Sequence, residues 1–262
     1  MVAELSGNHG GGLDKALNLV SAAKDAGADA IKLQTYRPDT ITVRGTDDRF
    51  KLKTGLWKGK LLHELYEEAM TPWEWHPIIA KEARTQGMIC FSSPFDESAV
   101  DFLEESMQPA LYKVASFEMN HIPLLERIGK TGKPVLASVG VSESQEIINA
   151  LKVLRGAGCP EVILLHCVSE YPAKPSDFSL GRMPLLESDY GVKFGLSDHS
   201  LGHLVAVAAT ALGARVIEKH LCLDRDESSI DGAFSMLPQE FAELVSAVRL
   251  THEAMSGSQC PQ

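Results

Sequence analysis

The sequence predicts a (β/α)8 TIM barrel in a single domain. Two observations carry that expectation. Short runs of β-branched and aliphatic residues alternate with longer amphipathic stretches eight times along the chain, and repeated strand–helix units build a parallel sheet. Eight such units in 262 residues match the size of this barrel; a doubly wound open sheet shares the local pattern, but the count favours the barrel.

Taken in order, the predicted strands cover 2–6, 30–34, 88–92, 111–116, 134–139, 162–166, 193–197 and 215–220. Between them, "LDKALNLVSAAKDAGA" (13–28), "HPIIAKEARTQG" (76–87) and "ESQEIINALKVLRGAG" (143–158) repeat apolar residues at three and four and end near Gly, as helices do. "GNHGGG" after the first strand reads as a tight turn, since it lacks the spacing of a dinucleotide-binding loop. "SSIDGAFS" lacks the spaced oxygens and terminal Glu of a calcium loop. An insertion from Tyr36 to about Leu62 follows the second strand, where a barrel places loops over its mouth. Residues 1–255 are assigned to the barrel and 256–262 to a C-terminal tail.

Composition excludes several function classes. With 44% hydrophobic residues the chain can bury a core without staples. Thirty-five acidic against 25 basic residues give a net charge of -10, which argues against a binder of duplex nucleic acid. No apolar run approaches the ~20 residues of a membrane span, and "MVAELSGNHGGG" is no signal peptide. Cys90, Cys159, Cys167, Cys222 and Cys260, odd in number and without a C-x-x-C pair, read as reduced thiols of a cytoplasmic protein.

Barrel chemistry sits at the C-terminal ends of the strands. There the chain carries Glu4 and Ser6, Lys32 and Gln34, Ser92 and Ser93, Lys113 with Ser116 and Glu118, Ser138, His166 followed by Ser169 and Tyr171, Ser197 and His199, and Glu218 and His220. Residues two apart share a face, so Lys32 with Gln34, and Glu218 with His220, point together into the mouth. Ser92, Ser116 and Ser197 each precede a helix or turn, where capping is the commoner role. His63, His76 and His252 fall in helical stretches and are expected at the surface; His166 is expected to be structural. Lys32 and Lys113 differ, because an ammonium inside an apolar strand costs several kcal/mol unless an anion meets it. Two such cations beside small hydroxyls point to a phosphate or carboxylate site. Histidines at the ends of adjacent strands, His199 and His220, fit an open divalent-metal site.

"AELSGNHGG", "ADAIKLQTY", "SSPFD", "YKVASFE", "KPVLASVG", "LLHCVSEYP", "GLSDHSLG", "GARVIEKHL" and "IDGAFS", in that order, resemble the sialic acid synthase family of phosphoenolpyruvate-condensing enzymes over almost the whole chain. "GLWKGKLLHELYEEAMTPWEWH" and "SIDGAFSM" are most similar to its pseudaminic acid synthase branch. The resemblance implies condensation of phosphoenolpyruvate with the aldehyde of a 2,4-diacetamido-2,4,6-trideoxy-altrose, with release of phosphate. It implies that Lys32, Ser93, Lys113, Ser116, Ser138 and Ser197 hold phosphoenolpyruvate, and that His199 and His220 carry the metal, Mn²⁺ first and Mg²⁺ or Co²⁺ as alternatives. By the same resemblance Glu118 steadies the developing cation and places the water, while Glu4, Gln34, Tyr171, Glu218 and Asp231 surround the sugar. Ser93 stands where the family often has Thr, and Ser169 where sialic acid synthases tend to have Asn. Relatives act as homodimers and continue into an antifreeze-like C-terminal domain, for which this chain leaves no room. The alternatives are a legionaminic or N-acetylneuraminic acid synthase, a Schiff-base aldolase using Lys113, and a non-catalytic barrel that needs a separate capping domain.

Overall fold

The computed structural model of the chain describes residues 1–226 and 229–257. Eight strands form a closed parallel barrel in sequence order: β1 (Val2–Glu4), β2 (Ala30–Thr35), β3 (Ile89–Pro94), β4 (Tyr112–Val114), β5 (Val135–Ser138), β6 (Val162–Cys167), β7 (Phe194–Asp198) and β8 (Ile217–His220). All eight lie within a few residues of the predicted runs; the fourth is shorter, because Ser116–Glu118 turns into a short 3-10 helix.

The connecting helices are α1 (Leu13–Asp25), α2 (Pro38–Ile41), α3 (Leu62–Ala69), α4 (His76–Thr85), α5 (Glu97–Ser106), α6 (Ile122–Gly129), α7 (Ser144–Ala157), α8 (Leu185–Tyr190), α9 (Leu204–Ala211) and α10 (Pro238–Ser256). Of these, α2 and α3 belong to the long β2–α4 connection, and the other eight form the outer ring. None of the described helices is long and apolar enough to cross a membrane. The last part of the assigned tail, with Cys260, lies outside the described residues.

Period-two alternation divides the strands into two faces. The outer face, including Ile31, Leu33, Val114, Val135, Leu164 and Leu196, packs with the helices in one large core. The inner face begins with a second apolar layer of Val2, Ala30, Phe91, Leu136 and Leu165, against which Leu111 and Val216 pack. Two residues further along, the same strands turn polar, with Glu4, Lys32, Ser93, Lys113, Ser138 and Glu218. The apolar layer plugs the barrel, and the polar layer above it is the floor of the mouth. Gly195 in β7 has a packing reason: a Cβ there would lie 2.5 Å from the Val216 carbonyl oxygen and 2.7 Å from Leu165.

Two expectations fail on burial. His76 and His63 are buried rather than exposed. His76 begins α4 on the same side as Ile79, Ala80 and Ala83 and hydrogen-bonds Thr35 Oγ1 at 2.8 Å; His63 reaches Asp39 at 2.8 Å. His252 is exposed as expected, and His166 Nε2 bonds the Phe178 carbonyl, a structural role.

Candidate active site at the barrel mouth

A cavity of about 450 Å³ opens at the C-terminal end of the barrel. Every predicted site residue except Glu4 lines it: Lys32, Gln34, Ser93, Lys113, Ser116, Glu118, Ser138, Tyr171, Ser197, His199, Glu218, His220 and Asp231. Glu4 lies beneath, fully buried, with one carboxylate oxygen 2.5 Å from Lys32 Nζ and the other accepting from the Ser6 amide at 2.7 Å. It therefore steadies the floor from beneath and does not line the cavity.

Sheet register explains how residues far apart in sequence meet. Glu4 stands level with Lys32 on one side and His220 on the other, Gln34 with Ser93, and Ser197 with Glu218. Lys113 Nζ donates to both oxygens of Glu218 at 3.0 Å, Ser197 Oγ donates to the same carboxylate at 3.0 Å, and Lys32 Nζ approaches it at 3.2 Å. Burial alone would push Glu218 up, but Lys113 and Lys32 overcome it and hold the carboxyl ionised, well below its usual range. Burial raises Glu4, reinforced by Glu218 and opposed by Lys32. Lys113 is lowered by burial against the pull of Glu218, whereas Glu218 and Glu4 together raise Lys32.

The serines divide by partner. Ser116 Oγ accepts from the Gly140 amide at 3.1 Å, and Ser197 is tied to Glu218. None of Ser92, Ser116 and Ser197 caps a helix; Ser92 lies on the outer face against Thr35 Oγ1 at 2.7 Å. The hydroxyls of Ser93 and Ser138 are buried with no hydrogen-bond partner. Leaving a buried donor unpaired costs about 1–3 kcal/mol, so two orphans beside two ammonium groups mark a place for an anion with several acceptor oxygens.

Higher in the mouth the His199 and His220 rings face each other, with centroids 5.5 Å apart. His199 Nδ1 donates to the Val168 carbonyl at 2.8 Å, which leaves Nε2 free as a ligand atom. His220 Nδ1 is buried without a hydrogen-bond partner, 3.6 Å from Asp231 Oδ2. Burial lowers His220 far below the usual imidazole range and keeps it in the neutral form that metals bind. Among the described residues no group of three or more His, Cys, Asp and Glu is placed to hold a metal ion. His199 and His220 are the two imidazoles from which a metal site would be built, its remaining positions left to water or substrate.

Glu118, on the 3-10 turn after β4, has a carboxylate oxygen buried without a partner, and desolvation pushes its pKa up to about 7. Tyr171 packs on His199 at 4.4 Å between centroids, and Phe234 on His220 at 4.8 Å. Asn8, in the predicted tight turn, accepts from the Asp231 amide at 3.0 Å and donates to Leu221 O and Ser235 Oγ at 2.9 Å, anchoring the loop that carries Asp231.

The NeuB family profile matches residues 19–260. The chain belongs to the NeuB family. It is 44% identical over 255 residues to a pseudaminic acid synthase of Campylobacter jejuni, across 97% of this chain and 74% of that protein. It is 41% identical over 249 residues to a pseudaminic acid synthase of Helicobacter pylori, across 95% and 73%. An N,N'-diacetyllegionaminic acid synthase of Legionella pneumophila is 34% identical, across 95% and 71%. Among solved structures, an N-acetylneuraminic acid synthetase of Leptospira borgpetersenii in complex with citrate superposes with a TM-score of 0.87 at 32% identity, covering 100% of this chain and 86% of that one.

This NeuB-family barrel also uses residues that sequence reasoning passed over. Cys167 lines the cavity with its sulfur 3.8 Å from His199 Nδ1; its position at the end of β6 was the available signal. Trp57, Leu52, Tyr66, Phe95 and Phe234 complete the wall from loops and from α3. Lys219 lies on the outer face of β8, fully buried, bonded to Asp198 Oδ2 at 2.7 Å and to Ser200 O at 2.6 Å. It too is a lysine inside a buried strand, and the argument that singles out Lys32 and Lys113 applies to it.

Proposed function

We propose that this barrel is a pseudaminic acid synthase, condensing phosphoenolpyruvate with a 2,4-diacetamido-2,4,6-trideoxy-hexose of the altrose type and releasing phosphate. The observation that carries the chemistry is the floor of the mouth: two buried lysines beside the unpartnered hydroxyls of Ser93 and Ser138. The choice of sugar rests on the 41–44% identity to pseudaminic acid synthases, against 34% to a legionaminic acid synthase.

Lys32, Lys113, Ser93 and Ser138 bind the phosphate and carboxylate of phosphoenolpyruvate, with Ser116 and Ser197 alongside. Glu218 and Glu4 keep the lysines charged and aimed. His199 and His220 would hold a divalent cation, Mn²⁺ first with Mg²⁺ or Co²⁺ as alternatives, whose Lewis acidity when bound polarises an aldehyde oxygen. The methylene carbon of phosphoenolpyruvate attacks the aldehyde carbon and forms the new C–C bond, leaving positive charge on the carbon that bears the phosphate. Glu118 faces that charge as a carboxylate and takes a proton from the water that adds there. The C–O bond to phosphate then breaks as the added hydroxyl becomes the ketone oxygen; the bridging oxygen leaves with phosphate, and of the water's two protons one ends on the former aldehyde oxygen, now a hydroxyl, and one on phosphate. Gln34, Tyr171 and Asp231 line the space left for the sugar.

The small, charged substrates of the proposed reaction support a cytoplasmic enzyme. Exposed Phe117, on the 3-10 turn after β4, and Leu201 and Leu204, just before and at the start of α9, support a homodimer that covers them. Phosphoenolpyruvate carrying heavy oxygen in its bridging position tests the chemistry: label in the released phosphate is expected, and label kept in the carbon product contradicts C–O cleavage.

A further inference from the structure

The insertion that follows β2 does more than cover the mouth. It sends Leu52 and Trp57 into the cavity, and α3 adds Leu62 and Leu65 beside them. Trp57 packs across the opening, 6.1 Å from Tyr171 and 6.4 Å from Phe234 between ring centroids. Its indole N–H is already donated to the Ile230 carbonyl at 3.2 Å, so Trp57, like Leu52, Leu62 and Leu65, presents carbon and no free side-chain donor to the cavity. Tyr66, next to Leu65 on α3, also lines the cavity, with a phenol whose pKa is pushed up by burial and by the neighbouring Glu118 charge. The polar groups are concentrated elsewhere, at the floor and around His199, His220 and Asp231.

Resting on the function proposed above, we propose that this apolar wall selects a sugar whose far carbon is a methyl group, with Trp57 as the specificity-determining residue. The reacting aldehyde must lie near the floor, where phosphoenolpyruvate is held, so carbon six, at the other end of the open chain, lies against the insertion. A methyl group there buries carbon on carbon. A hydroxymethyl group would bury a hydroxyl with no partner. Apolar pockets reject an added hydroxyl by a factor of about 10², and that is the discrimination expected of the unaltered protein. The same bond from Trp57 to Ile230 ties the insertion to the residue next to Asp231, so the wall and the sugar-facing carboxylate are held together.

The experiment compares kcat/KM for two acceptors, 2,4-diacetamido-2,4,6-trideoxy-altrose and its 6-hydroxy counterpart, with phosphoenolpyruvate and Mn²⁺, in the unaltered protein and in Trp57→Ala, Trp57→Phe and Leu52→Ser. The expected result is a preference of about 100-fold for the 6-deoxy sugar. It should fall to about 10-fold or less in Trp57→Ala and be retained in Trp57→Phe, with the KM for phosphoenolpyruvate unchanged. Leu52→Ser, which gives the far hydroxyl a partner, should also narrow the preference and carries the test if Trp57→Ala does not fold. Equal use of both sugars by the unaltered protein overturns the inference while leaving the proposed function in place. So does an equal loss on both sugars in Trp57→Ala. No phosphate release with any sugar overturns the proposed function, and the inference with it.

Discussion

Glu118 gives the sharpest physical test of the site, because its carboxyl is buried, unpartnered and raised to about 7 by desolvation. The perturbation is Glu118→Gln, which keeps the shape and removes the ionisation. In the folded protein this acid titrates above its unfolded value, so the stability it contributes is fully present below pH 4.5 and is lost as pH rises through about 7. A shift of that size corresponds to about 3 kcal/mol between the two limits. The Gln variant loses nothing over that range, so its stability relative to the unaltered protein should climb by about 3 kcal/mol from pH 5 to pH 8.5. At about 2–4 °C per kcal/mol for a chain of this size, the gap in Tm between the two proteins should open by roughly 6–12 °C. Calorimetry of both ligand-free proteins across that range measures it. Any constant offset from the amide itself cancels in the difference. A gap in Tm that stays the same at every pH would refute the claim that Glu118 sits desolvated and unpaired.

Other substitutions probe the floor, the imidazole pair and the outer core. Lys113→Ala should weaken phosphoenolpyruvate binding by at least ~2 kcal/mol, about 30-fold in Kd, as removal of a desolvated charged contact does; titration calorimetry giving an unchanged Kd would move the anion site elsewhere. His220→Ala should abolish turnover that chelator inhibits, and residual activity indifferent to chelator would contradict the metal assignment. Lys219→Met leaves Asp198 charged and buried on the outer face and should cost about 3–5 kcal/mol; denaturation showing less than about 1 kcal/mol would mean that the pair is not buried as described.

Much of this site was legible in the sequence because barrel geometry is periodic. A lysine in an apolar strand has to be answered, and a period of two assigns it a face, so Lys32 with Gln34 and Glu218 with His220 could be paired without coordinates. Register sets Glu4 level with Lys32, which no local pattern specifies; the family resemblance put Glu4 beside the sugar, and in the structure it lies beneath the cavity against Lys32. The walls from Trp57, Phe95 and Phe234 depend on how loops fold back, and loop sequences carry no comparable periodicity. His76 was misjudged for a different reason. Its spacing to Ile79, Ala80 and Ala83 places it on the buried stripe of α4, and that spacing outweighs the general tendency of histidine to be at least partly exposed. Lys219 shows the limit of reading only inward-facing positions, since the outer face holds a buried ion pair of its own.

The most direct measurement is phosphate release from phosphoenolpyruvate with Mn²⁺, comparing the altrose derivative, N-acetylmannosamine and the legionaminic acid precursor, each with and without chelator. The account predicts release that requires both the metal and the altrose sugar. Release that favours either of the other sugars, or no release by protein that still binds phosphoenolpyruvate, would contradict it.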